Sequence, residues 1–194
     1  LAGLGYTKVA GNRFSRTIKD VAVVVTGARV PAREAIIDVL IPAYTSRAPQ
    51  NRRVGDQLVT TEVLGLTTAL NRAPVVLTLE LHRLNGDALD VELSFPDEVA
   101  ALVLKGFATR VRVRATDVVD VWRCLEVAFA AGVDPTAFAD AIPAEGAALV
   151  RTLFNRRDGV GMTTLRSEQR LSDQAADARF TRVRALVARV VGEK

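Results

Sequence analysis

The chain has 194 residues, enough for one domain or two small ones, and 49% of them are hydrophobic, ample for a packed core. Its net charge of +4 comes from 26 Lys and Arg against 22 Asp and Glu, with arginine far outnumbering lysine. This balance excludes global disorder, no apolar run reaches the ~18 residues of a membrane span, and the single Cys124 excludes an internal disulfide and a cysteine-based zinc site.

A lone cysteine suits a reducing cytoplasm, and no signal peptide is visible, so a cytoplasmic location is expected. The chain opens on Leu-Ala-Gly without a methionine, and upstream residues are expected. The arginine excess has two readings of equal weight: a GC-rich genome, or affinity for phosphates in nucleotides or nucleic acid.

Leu1–Gly3 reads as the end of a strand entering a glycine turn, and Leu4–Ala10 as a helix of one or two turns broken by Gly11 and Asn12. Val21–Thr26 is a continuous β-branched run, the pattern of a strand covered on both faces. Pro31 then predicts a helix over Ala32–Leu40, with Ala35, Ile36, Val39 and Leu40 apolar. Residues 42–53 read as a polar, basic loop, and Leu58–Leu70 fits strand or helix equally. "VVLTLELHRL", "NG" and "DALDVELSF" predict a hairpin with a type I′ turn at Asn85-Gly86. Pro96-Asp97 opens a helix. Ala115-Thr116-Asp117 opens another, whose stripe carries Val118, Val121, Trp122, Leu125 and Ala128, and Gly132 stops it. Ala144–Phe154 and Ala175–Val191 read as helices, with "RRDGVGMTT" a flexible break between them. Strands therefore dominate 1–95 and helices 96–194. The expected class is α+β, a small mixed β-sheet domain followed by a helical domain.

Few residues carry chemistry. His82 is the only histidine, on an exposed-looking strand beside Arg83, which disfavours a histidine-dependent triad and reads as a surface residue. No Walker loop or G-x-G-x-x-G follows a strand. Carboxylates at strand ends remain: Asp20 at the mouth of the Val21–Thr26 run, and Asp90 in "LDVEL", sharing a face with Glu92. Magnesium takes one or two protein carboxylates and fills its octahedron with phosphate and water, so Asp20 and Asp90 together would suit it. Solvated strand-end carboxylates would give the same pattern.

The stretch "ALVLKGFATRVRVRATDVVDVWRCLEVA" resembles the signature of AbiEii-type nucleotidyltransferases, toxins of type IV toxin–antitoxin pairs in the polymerase-beta-like nucleotidyltransferase superfamily. The family pattern is a lysine on an apolar helix, a basic stretch, then K/R-x-x-D-x-x-D-L/V-W/Y. Here these are Lys105, then Arg110, Arg112 and Arg114, then Asp117, Asp120, Val121 and Trp122. The family's glycine turn and R-x-[T/S]-x-D-h-D strand are similar to Ala2-Gly3 and to Arg16-Thr17-Ile18-Lys19-Asp20-Val21-Ala22. Asp90 fits its third carboxylate, and the resemblance covers most of residues 1–130.

The resemblance implies a metal-dependent enzyme that transfers a nucleoside monophosphate from a triphosphate to RNA, with a tRNA 3′ end as the expected acceptor. It implies that Asp20 and Asp90 hold Mg2+ or Mn2+, that Lys105 contacts the triphosphate with Asp117 or Asp120 within hydrogen-bond reach, and that Asp117 positions Lys105 or the acceptor. Gly3, Arg16 and Thr17 would join Lys105 in binding the nucleotide. A cognate antitoxin is the implied partner, and no membrane is. Bland alternatives exist: Lys105 as a lysine snorkelling at a helix edge, and Asp117 as a helix cap. Two positions depart from the pattern. Ala22 stands where the second motif carboxylate belongs, and Ile18 replaces the usual Ser or Thr beside Thr17. Ala22 points to an enzyme impaired at its metal site, or to a catalytically dead module that binds nucleotide, RNA or antitoxin.

Overall fold

In the computed structural model, which describes residues 1–18, 33–43, 51–55, 58–82, 86–111 and 113–193, strands come first and helices follow, as the α+β reading expects. Two compact units form. One gathers the described residues within 1–63 and 78–93, the other those within 64–77 and 94–193.

In the first unit, β-branched residues and tight turns decide the pairing. Ala2–Leu4 is a short 3-10 turn rather than a strand end, and Thr7–Ala10 is strand β1 rather than a helix. The reason is local: Thr7 and Val9 are β-branched, and glycines at positive φ, Gly5 and Gly11, bracket too few residues to nucleate a helix. Strand β2, Arg13–Ile18, pairs antiparallel with β1 and with β3, Arg33–Asp38. The helix expected over Ala32–Leu40 is thus a strand over Arg33–Asp38 followed by β4, Leu40–Pro42. Six partners in register with β2, including Phe14 against Ile37, outweigh the helical spacing of a segment rich in Ile and Val. Arg13 and Asp38, opposite each other, close a bidentate pair at 2.9 Å.

A second three-stranded sheet is mixed. Strand β6, Leu58–Val63, runs parallel to β4 and antiparallel to β5, Asn51–Val54, which falls inside the expected loop over 42–53. Buried Thr60 donates to the Val39 carbonyl at 2.6 Å, and buried Glu62 pairs with Arg52. The ambiguous segment 58–70 is both elements: β6, then Gly65 in the left-handed region, then helix α1, Leu66–Asn71. The expected hairpin forms as β7, Val75–His82, and β8, Ala88–Phe95. Its turn residues 83–85 lie outside the described residues. Both strands are exposed, with only Val91 half-buried.

The second unit is built on helices α2, Glu98–Val111, and α3, Ala115–Ala130. Asp97 opens α2 by accepting from the Ala100 N–H at 2.8 Å. Gly132 ends α3, and the Val133 N–H reaches back to the Ala128 carbonyl at 2.9 Å. After a 3-10 turn at Pro135–Phe138 come α4, Ala141–Leu153, α5, Val160–Glu168, and α6, Asp173–Val191. Helix α5 occupies the expected flexible break. Gly161 lets it form, because a Cβ there would lie 2.3 Å from the Leu153 carbonyl oxygen. Leu102, Val121, Leu125, Phe154, Leu165 and Leu186 are fully buried, each adding about 1.5–3 kcal/mol of hydrophobic stabilisation. None of the described helices is long and apolar enough to cross a membrane.

Candidate active site

Lys105 lies on α2, whose buried side carries Leu102, Val103 and Phe107, and its side chain is partly exposed. On α3, Val118, Val121, Leu125 and Ala128 face inward, which turns Asp120 to the border of the stripe. There Lys105 Nζ donates to Asp120 Oδ2 at 2.7 Å, an ion pair with the two side chains 37% and 34% exposed. Arg123 approaches the other Asp120 oxygen at 3.7 Å. Cys124 lies in the same field: burial pushes its thiol pKa up, the Lys105 ammonium opposes that, and Asp120 adds to it. A cation held by one carboxylate, with access to water, can grip phosphate oxygens and neutralise charge that develops on them.

Asp117 sits differently. It occupies the third position of α3, is only 8% exposed, and benefits from the positive end of the helix. It is not the cap, since Arg114 holds that position. The carboxylate hydrogen-bonded to Lys105 is therefore Asp120, one of the two expected within its reach. Of the basic stretch, Arg110 pairs with Glu145 on α4 at 2.6 Å, Arg114 is exposed, and Arg112 lies outside the described residues.

Behind the pair, Trp122 anchors α3 to α6. The Arg179 guanidinium lies 4.2 Å from its ring centroid, and the indole N–H donates to Glu126 at 3.3 Å. Glu126 in turn accepts two bonds from Arg182, at 3.2 and 2.6 Å, which hold its pKa below the usual carboxylate range. Sequence reasoning missed Arg179, Arg182 and Glu126. The signal was present in the three-residue spacing of the two arginines, which puts them on one face of α6.

In the first unit, Arg16 lies on β2, stacks over the Tyr6 ring at 5.0 Å and donates to the Leu4 carbonyl at 3.0 Å. It so ties β2 to the 3-10 turn that contains Gly3, bringing two of the expected nucleotide-binding positions together. Thr17 is exposed on β2 opposite Glu34. Asp90 is exposed on β8. Asp20, Ala22 and the Val21–Thr26 run lie outside the described residues. Among the described residues no three His, Cys, Asp or Glu side chains gather as a metal site. His82 contacts Glu80 at 2.8 Å on the exposed hairpin. No family model, curated protein or solved structure matches this chain.

Proposed function

We propose that the chain is a nucleotidyltransferase that moves a nucleoside monophosphate from a triphosphate to RNA, with a tRNA 3′ end as acceptor and a cognate antitoxin as its partner. The observation that carries this reading is the Lys105–Asp120 ion pair. It joins the two helices of the stretch that resembles the toxin signature, and it presents a positioned, half-exposed cation.

Asp120 fixes Lys105 so that its remaining N–H groups bind triphosphate oxygens. Asp117 supports the first turn of α3, which carries Asp120. The resemblance assigns nucleotide contacts to Gly3, Arg16 and Thr17 as well. Asp20 and Asp90 would hold Mg2+ or Mn2+, and such an ion supplies neutralisation of phosphate charge when bound. Ala22 removes one carboxylate from that set, which lowers metal affinity and rate.

The test is incubation of the chain with labelled triphosphates, magnesium and total tRNA. Transfer should be slow in the chain as given and faster in Ala22→Asp, with Ala22→Asp also needing less magnesium. Triphosphate binding without transfer in either chain would favour the catalytically dead module, and neither binding nor transfer would remove the reading.

A further inference from the structure

A cleft of about 330 Å³ lies between α4 and the end of α6, lined by Ala148, Arg151, Asn155, Arg184, Val187 and Glu193. Its size is at the lower end of small-molecule sites, roughly 300–1,000 Å³. Two guanidinium groups line it, one from each helix. The fold holds the first in place: Arg151 gives one N–H to the Val191 carbonyl at 2.6 Å, in the last turn of α6. That carbonyl is one of those that a helix C-terminus leaves open. A guanidinium carries five N–H groups in a fixed fork, and the bond to Val191 uses one of them.

Arg184 is the second. Its partner among the described residues is Glu193, whose carboxylate oxygen lies 3.9 Å from Nη2, beyond hydrogen-bond distance. The two side chains are 39% and 68% exposed, so the contact is weak. Gly192, at φ 81°, ends α6, and Glu193 lines the cleft directly after it. The chain's own carboxylate thus lies beside a pair of cations without satisfying either.

Charge and shape narrow the ligand. The two helix ends each carry about half a negative charge, which two guanidiniums outweigh. A carboxylate has two oxygens in one plane, enough for one guanidinium fork. A phosphate spreads its oxygens around a tetrahedron, enough for forks arriving from two helices. Asn155 adds an amide donor, and Ala148 and Val187 add a small apolar wall.

We propose that this cleft binds a phosphate group, as the free ion or as a phosphomonoester, with Arg151 and Arg184 on its oxygens and Glu193 displaced. The site shares no residue with the Lys105–Asp120 pair and stands whether or not the chain transfers nucleotides.

The test is calorimetric titration of inorganic phosphate, phenyl phosphate and acetate, at low salt, into the chain and into Lys105→Ala, which removes the other phosphate-binding cation. At least one of the two phosphates should bind Lys105→Ala at millimolar concentration or below. Tighter binding of phenyl phosphate identifies an ester as the ligand, and the reverse identifies the free ion. Arg184→Met on the same background should weaken binding at least about tenfold, the loss of a charge-assisted contact. Its melting temperature in phosphate-free buffer should hold, since only a loose, exposed pair is lost. Glu193→Gln, which removes the competing carboxylate, should tighten binding several-fold. Absence of binding by both phosphates in Lys105→Ala would overturn the proposal. So would unchanged affinity in Arg184→Met, an affinity that Glu193→Gln fails to raise, or acetate binding more tightly than either phosphate.

Discussion

Lys105, Asp120 and Cys124 form a small electrostatic unit whose members report on one another. Burial is the main cause that raises the Cys124 thiol pKa, with Lys105 lowering it and Asp120 raising it. The thiolate is the reactive form, so alkylation at fixed pH reads the field at this point. Lys105→Met should slow alkylation of Cys124 by iodoacetamide, and Asp120→Asn should speed it. In a pH series, the half-maximal rate should move up in the first variant and down in the second. Equal rates in all three chains would place the ammonium away from Cys124. Asp117 and Asp120 both stood as partners for Lys105 in the sequence, which shows how far this geometry was legible there. Both acids belong to the same K/R-x-x-D-x-x-D pattern, and spacing alone assigns neither to Lys105. The difference arises from rotation around α3: Asp117 falls on the buried side with Val118 and Val121, and Asp120 falls at its border.

At the scale of elements, α2 and α4 meet at glycines. A Cβ on Gly106 would lie 2.8 Å from the Gly146 carbonyl oxygen, and one on Gly146 would lie 3.1 Å from the Val103 Cα. Backbone atoms cannot swing away as a side-chain tip can. Gly106→Ala gains roughly 1 kcal/mol of helix propensity but costs about 1–3 kcal/mol in overpacking. We expect a melting temperature lower by a few degrees, and an increase would show that the helices separate freely. The α3–α6 contact carries a pH dependence. Glu126 has its pKa lowered by Arg182, from an ordinary value of 4.5. Its contribution is therefore present above about pH 4.5 and is lost as pH falls through the lower folded value. Glu126→Gln should flatten the fall in melting temperature between neutral pH and about pH 3; an equally steep fall would assign the acid sensitivity elsewhere. The helices were legible because their apolar stripes are long and their starts and stops sharp, as at Asp97 and Gly132. The first strands were not. Thr7–Ala10 and Arg33–Asp38 are short, and what decides them is pairing with β2, a contact distant in sequence. Helix α5 was hidden because its glycines read as breaks, although Gly161 serves close packing.

For the whole molecule, the proposed function rests on one act, the gripping of a triphosphate by Lys105. Stability and binding separate this from a lysine that merely packs. A half-exposed ion pair contributes only about 0.2–1 kcal/mol to folding, so its loss moves the melting temperature little. A cation on phosphate oxygens contributes more, because charge-assisted hydrogen bonds are worth about 1.5–3 kcal/mol each. The direct measurement is calorimetric titration of magnesium–ATP, –GTP, –CTP and –UTP into the chain and into Lys105→Ala, with melting curves of both. We predict that at least one triphosphate binds, that Lys105→Ala weakens it at least about tenfold, and that the two melting temperatures agree within a few degrees. Unchanged triphosphate affinity in Lys105→Ala, above all with a large loss of stability, would contradict the proposed function at its centre.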